Sequence, residues 1–373
     1  MCQSMKYYYD VSDGICTRDS IANYLNTDNV SICQFLYFLD IDDIASYVES
    51  SYYADKDWHF KYKVSSMIKL IVVKCYRNLS FEKTISTLTK EEAQLLSFEY
   101  NNGIMNLPSS ATLHHFVKYR LGETGLDEVM FKIGKKISKT TTIRDVKTDS
   151  TPLEASRYDK YADYNPHYNC KMDKAHITMI GTLPIYMTHT KGTAHDSPEL
   201  KKHIDALVKM EVDIDTYALD GGYDSFRNHA DIWYKLNAKP VIAYSSDSKI
   251  HCEGTVERVD HWVNKMWKLG GSVHMRYGEK LRFLYENGRE KQVGMHLRNS
   301  NIEDEGFDDN YSLRRECERV HNHIKRTMKF DIRGIRNDSK KLYSLMKFVA
   351  YQLLVTTNLQ NEVKDTNSFA NYV

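Results

Sequence analysis

Three acids and one helical stripe carry the chemistry that this sequence offers. Asp149 ends the β-branched run "TTTIRDVKTDST", Asp220 follows a short apolar run in "DTYALDGGYDS", and Glu318 lies in "YSLRRECERVHNHIKR". Strands would expose the first two at a sheet edge, and a helix could bring the third beside them. Three such carboxylates repel one another unless cations sit between them. The chemistry that uses the cluster is two-metal phosphodiester cleavage. One Mg2+ or Mn2+ held by carboxylate oxygens activates water or a 3′-hydroxyl, and the other stabilises the leaving oxygen. Gly221 and Gly222 leave the backbone after Asp220 open to close approach.

At about 100° per residue, Tyr311, Arg314, Glu318 and Lys325 share a helical stripe roughly 60° wide. Leu313, Cys317, Val320, Ile324 and Met328 form the apolar face that such a helix buries. Glu316 points about 160° away from Glu318. A stripe of one acid, one phenol and two cations suits phosphate binding. It also fits a solvated helix with an Arg314–Glu318 i,i+4 pair. The chain has 50 acids, so an Asp-Asp-Glu order alone is weak evidence. Asp145 would share a strand face with Asp149, and Asp213, Asp215 and Asp224 flank Asp220.

The elements that must position these groups change in character near residue 141. Residues 1–140 predict a helical N-terminal domain, with helix-like spacing in "SICQFLYFLDIDDIASYVE", "KYKVSSMIKLIVVKCYRN" and "SFEKTISTLTKEEAQLLSFEY". "SSATLHHFVKYRLG" is another helix, with Ser109 or Ser110 as N-cap and an end at Gly122. Two helices around "NNGIMNLP" would suit a helix-turn-helix-like unit or a plain bundle. Residues 141–373 predict a mixed α/β sheet. "HITMIGTLPIYMTHT" reads as a hairpin about Gly181-Thr182, "SPELKKHIDALVKM" and "FRNHADIWYKLN" as helices, and "KPVIAYS" as a strand. Residues 245–305 break this rhythm. Their β-like runs around Gly270-Gly271 and Asn287-Gly288 predict a β-rich insertion.

Composition narrows the class. With 373 residues, 42% hydrophobic, 27% charged and a net charge of +1, the chain is an ordinary globular protein with room for two or three domains. Residues 244–373 hold 22 basic against 18 acidic residues, so a local basic surface lies in the last third. Seven dispersed cysteines (2, 16, 33, 75, 170, 252, 317) without a C-x-x-C pair speak against a zinc ribbon and a secreted disulfide framework. "MCQSMKYYYDVSDG" lacks the apolar core of a secretory signal. No apolar run is long enough to span a bilayer, which leads to an expectation of a soluble, intracellular protein with no membrane partner.

"TDST", "ALDGGYDS" and the spacing Tyr311-x2-Arg314-x3-Glu318-x6-Lys325 together resemble the DDE transposases of bacterial and archaeal insertion sequences, whose Tyr-Arg-Glu-Lys signature the last element matches without a gap. "KGTAHDSPELKKHID" and "LPSSATLHHFVKYRLG" are similar to further stretches of that family, so the resemblance covers roughly residues 80–358. It implies an RNase H-like catalytic domain, with Asp149 on the first strand, Asp220 at the end of the fourth and Glu318 on a helix after the β-rich insertion. It selects Asp149 over Asp145 and Glu318 over Glu316. Asp149, Asp220 and Glu318 would hold two Mg2+ or Mn2+ ions, and Tyr311, Arg314 and Lys325 would grip phosphates of the transposon end. Arg315, Arg319 and Arg326 would extend that grip.

The resemblance further implies double-stranded DNA as partner, both transposon ends and target, a homodimer assembled on DNA, and a prokaryotic, nucleoid-associated setting. The expected activity is binding of terminal inverted repeats, cleavage and strand transfer. The alternatives are a domesticated nuclease of the same fold and an inactive DNA-binding regulator. Trp262 and Trp267, in the insertion, offer a ring for a flipped base, although core packing explains them as well. His321 and His323 lack a third ligand for zinc. His195 and Asp196 suit helix capping, and Lys171 and Lys174 suit either DNA contact or a solvated strand edge.

Overall fold

The computed structural model describes residues 18–26, 30–52, 61–101, 104–244, 255–267, 276–302, 304–369 and 372. Cys2, Cys16, Cys252, the N-terminal "MCQSMKYYYDVSDG" and the Gly270-Gly271 turn lie outside them. None of the described helices is long and apolar enough to cross a membrane. The chain forms two compact units. Thr327–Lys329 and Leu345–Val373 join Met1–Val129 in one, and Phe330–Ser344 joins Met130–Arg326 in the other.

The first unit is helical. Val64–Tyr76 is buried along almost its whole length, as befits a helix that is apolar nearly all round. Capping boxes open the helices Ile32–Tyr37, through Ser31 and Gln34, and Lys90–Leu95, through Thr89 and Glu92. Ser109 caps Ser110–His115. A two-stranded ribbon, Tyr100–Asn101 with Ile104–Met105, lies in the "NNGIMNLP" connection between the helices. The C-terminal segment departs from the predicted 141–373 domain. From Leu345 onward the helix Lys340–Gln360 belongs to this helical unit. Phe348, Tyr351 and Leu354 are fully buried, and Gln360 exchanges two hydrogen bonds with the Asp40 backbone.

The second unit holds a mixed sheet: β1 (Asp145–Glu154), β2 (Asp163–Asn165), β3 (Cys170–Ile180), β4 (Leu183–Lys191), β5 (Thr216–Leu219) and β6 (Lys239–Ile242). Its order is β4–β3–β1–β5–β6, with β2 also pairing β3. β3 runs antiparallel to β1, while β5 and β6 are parallel to it and to each other. This is the RNase H-like arrangement. The helices are α1 (Asp196–Met210), α2 (Phe226–Leu236), α3 (Thr255–Trp267), α4 (Tyr277–Glu286), α5 (Glu290–Ile302), α6 (Phe307–Ser312) and α7 (Arg315–Met328).

The pleat of β1 sorts its side chains. Thr148 hydrogen-bonds Thr178 and Tyr217 on one face. Asp145, Lys147 and Asp149 turn to the other, where Lys147 meets Glu316 at the start of α7. Cys317, Val320, Ile324 and Met328 of α7 are each fully buried, as their spacing predicts; Leu313 is half-buried.

Two expectations are corrected. The described part of the 245–305 insertion is helical, comprising α3, α4 and α5, and is not β-rich. Val259, Val263, Leu281, Leu284 and Val293 form its core with Ala230 of α2. Their three- and four-residue spacing is helical, and it overrides the strand propensity of the valines. Asn287-Gly288 joins two helices, with Gly288 at φ +75°. The second correction concerns Tyr311–Arg326, which is not one helix. The chain turns at Leu313-Arg314 between α6 and α7, so Tyr311 leaves the α7 stripe and stacks on Phe307, with ring centroids 5.8 Å apart.

Candidate active site

A cleft of about 580 Å³ opens along the middle of β1, past the end of β5 and beside α7. Asp149, Asp220, Arg314, Glu318 and Lys325 line it, together with Asp196, His321 and others. Asp149 comes from the deeper part of β1 and is 6% exposed. Asp220 directly follows β5 and caps the turn Gly221–Tyr223, its Oδ1 accepting the Gly222 N–H at 2.9 Å. A side chain at Gly222 would crowd Asp220 Oδ1.

One cation joins the two strand-borne acids. Arg314 Nη2 donates to Asp149 Oδ1 at 3.1 Å and to Asp220 Oδ2 at 3.3 Å. Burial pushes the Asp149 carboxyl up to about 6; Asp220 adds to the rise, while Arg314 opposes it. Burial pulls the other way on Arg314, yet the two carboxylates hold its guanidinium above its ordinary value. Glu318 is exposed on the cleft wall and has no hydrogen-bond or ion-pair partner among the described residues. Lys325 lies two turns further along the same wall, its ammonium shifted down by burial.

These donors fit a hard divalent cation. Asp149 and Asp220 already converge on a single positive charge, and Glu318 adds a carboxylate to the same cleft. Among the described residues, however, no three His, Cys, Asp or Glu side chains are gathered closely enough to hold a metal. Glu318 therefore has to close on the pair for a three-carboxylate site.

Other predicted residues fall elsewhere. Arg315, Arg319 and Arg326 are exposed on α7 but do not line the cleft, and neither does Tyr311. Trp262 packs against the core of the helical insertion and stays outside the cleft, because the helix puts it beside Val259 and Val263. The side chain of Trp267 is outside the described ones. Glu316 pairs with the fully buried Lys147, which Asp145 also holds at 2.9 Å.

Sequence reasoning gave several cleft residues other roles, or none. Asp196, read as a cap, accepts from Lys174 Nζ at 2.8 Å and from Ser150 Oγ at 3.0 Å. Lys174 is thereby paired inside the cleft and is not a solvated edge residue. His321 is buried, its Nδ1 3.9 Å from Asp149 Oδ2 and its Nε2 without a partner. Burial, followed by Lys325 and Arg314, lowers its pKa to about 3, which keeps it neutral. Its place at i+3 from Glu318 was the available signal. Tyr168 and His167 form a rim that no spacing rule marks.

Among solved structures, the chain is similar to a cryo-EM structure of a piggyBac transposase synaptic complex with hairpin DNA, at 9% identity and a TM-score of 0.39, covering 93% of this chain and 79% of that one. Among curated proteins there is no significant match. The family model described as the transposase DDE domain matches residues 141–353, more than half of the sequence and all of the cleft, and the chain belongs to that family.

Proposed function

We propose that the protein is the transposase of an insertion sequence, which binds the terminal inverted repeats, cuts phosphodiester bonds there and joins the freed 3′-hydroxyls to target DNA. The observation that carries this reading is the convergence of Asp149 and Asp220 on one positive charge in an open cleft shared with Glu318 and Lys325. DDE transposases generally use divalent metal ions. Asp149, Asp220 and Glu318 would hold them, as two Mg2+ or Mn2+ ions. Bound metal supplies activation of the attacking oxygen and charge stabilisation at the leaving oxygen.

The chain's own groups do the rest. Burial raises the metal-free Asp149 carboxyl to about 6, so a bound cation would favour its ionised form. Arg314 offers a guanidinium that can engage phosphate oxygens with two parallel bonds. Lys325 adds a compact charge further along the wall. Exposed Arg315, Arg319 and Arg326 on α7 extend the positive surface for duplex DNA. Tyr311 contributes a hydroxyl near Arg314. Two ends are cut and joined in one event, so the active species is a homodimer on DNA.

The test is strand cleavage of a labelled duplex carrying the gene's own flanking DNA, in Mg2+, in Mn2+ and in chelator. Nicks at a defined position that need metal and vanish in Asp149→Asn are expected. A folded protein that binds these flanks yet never cuts them would replace this reading with that of a DNA-binding regulator.

A further inference from the structure

The helical insertion reaches the catalytic acids through one buried arginine. Arg298 of α5 donates from Nη2 to Asp224 Oδ2 at 2.7 Å, and both side chains are almost sealed from solvent, at 6% and 3% exposure. Asp224 closes the single turn that Asp220 opens. Its backbone N–H donates to Gly221 O at 3.1 Å, while Asp220 Oδ1 accepts at the other end. His229 Nε2, also buried, stands 3.3 Å from Asp224 Oδ1. The two helices meet without a side chain between them, since a Cβ at Gly294 of α5 would lie 1.6 Å from Phe226 O at the start of α2.

The same guanidinium starts a second connection. It lies over the rings of Phe226 at 5.5 Å and Tyr244 at 5.3 Å. Tyr244, whose hydroxyl donates to Arg298 O at 3.1 Å, stacks on Phe307 with centroids 6.1 Å apart. Phe307 stacks in turn on Tyr311. The Arg314 N–H donates to Tyr311 O at 3.0 Å. One route from Arg298 therefore ends at the turn that carries Asp220, and the other at the turn that sends Arg314 to Asp149 and Asp220.

A buried ion pair is a weak source of stability, and apolar side chains would seat α5 as well. What the pair and the stacked rings add is a fixed geometry between two turns that are far apart in sequence. We propose that Arg298 is a positioning residue, which sets the separation of Asp220 and Arg314 through Asp224 on one side and the Tyr244–Phe307–Tyr311 stack on the other. The insertion is then part of the frame of the active site. This rests on the reading of the cleft as a phosphodiester-cleaving site. Misplacement of reacting groups by about 1 Å lowers a rate roughly hundredfold.

The experiment uses the full chain and three variants. Arg298→Lys keeps a charge for Asp224 but loses the flat, forked group. Phe307→Leu breaks the stack while Asp224 stays paired, and Phe307→Tyr restores it. The control is Arg282→Gln, which removes another insertion arginine, one that lies over Trp233 and donates to Asn237. Cleavage kinetics on the flanking duplex are read in Mg2+, Mn2+ affinity without DNA by the EPR signal of the free ion, and folding by thermal melting. Arg298→Lys and Phe307→Leu should lower kcat by about ten- to hundredfold with KM little changed, and weaken Mn2+ binding by about tenfold. Phe307→Tyr and Arg282→Gln should match wild type in both. Should Arg298→Lys fail to fold, Phe307→Leu decides alone. Wild-type kcat and Mn2+ affinity in folded Phe307→Leu, whatever its melting temperature, would overturn the positioning role. A wild type that binds Mn2+ but never cuts would overturn the reading of the cleft instead, and the Mn2+ affinities would then decide this inference. A wild type that does neither overturns both.

Discussion

Two cations on one face of β1 are each held between two acids, and they behave differently. Lys147 sits between Asp145 and Glu316 and is fully buried. Arg314 sits between Asp149 and Asp220, its side chain is 23% exposed, and a cleft opens beside it. The ion chemistry is similar; access separates the two. The Lys147 ammonium is sealed from solvent, although its acids Asp145 and Glu316 are 27% and 39% exposed, so the cluster holds the start of α7 to β1. The Arg314 cluster faces a cleft with a further carboxylate and a lysine, so its cation can be exchanged for others. Acid-cation-acid order is thus no sign of function until the cation itself meets a cleft.

The largest effect that would sharpen this contrast is on chemistry. Asp220→Asn should reduce metal-dependent cleavage by about a thousandfold or more while leaving thermal stability nearly unchanged, as read by gel assay and calorimetry. Lys147→Met should do the reverse. It leaves Asp145 and Glu316 facing each other without a cation and should cost about 3 kcal/mol of stability, with cleavage per folded molecule retained. If Lys147→Met instead abolished cleavage in a fully folded protein, the division between closed and open clusters would fail.

The third effect depends on pH. With a pKa raised to about 6 in the fold from an ordinary value of 3.8, Asp149 binds a proton more readily folded than unfolded. Its contribution to stability is therefore full below about pH 4 and is lost as pH rises through 6. In chelator, Asp149→Asn should be more stable than wild type at pH 7, by about 3 kcal/mol, and the difference should vanish toward pH 4. A gain that does not change with pH would rule out ionisation as its cause. The smallest effect should come from Lys325→Ala, with DNA binding weakened at low salt and the slope of log affinity against log salt reduced by about 0.9. An unchanged slope would remove Lys325 from phosphate contact.

Much of the sheet was legible in the sequence because its signals are local. The β3–β4 hairpin turns at Gly181-Thr182, α1 and α2 carry helical apolar stripes, and the strand ending at Asp220 is a short apolar run stopped by two glycines. The buried face of α7 followed from spacing alone. What failed depends on tertiary contacts. In "NYSLRR" no proline or glycine marks Leu313-Arg314 as the end of α6, and the turn there goes with the reach of Arg314 to two strands. The insertion misled because valines and paired glycines look strand-like when their helical partners on neighbouring elements are unknown. Pattern could not separate Asp145 from Asp149, which share a face; their partners do, one in a closed ion cluster and one at the cleft. Tyr168 and Asp196 were hidden for the same reason, since only the fold brings a turn and a helix start to β1.

The most direct test compares two acids two residues apart on α7. Glu318→Gln and Glu316→Gln would be assayed side by side for cleavage of end DNA in Mg2+, for binding in chelator and for thermal stability. Glu318→Gln should lose cleavage yet bind and melt like wild type, whereas Glu316→Gln, which loosens the hold on Lys147, should melt earlier and still cut. Equal loss of cleavage from both, or full cleavage by Glu318→Gln, would contradict the assignment of the open cluster as the catalytic one.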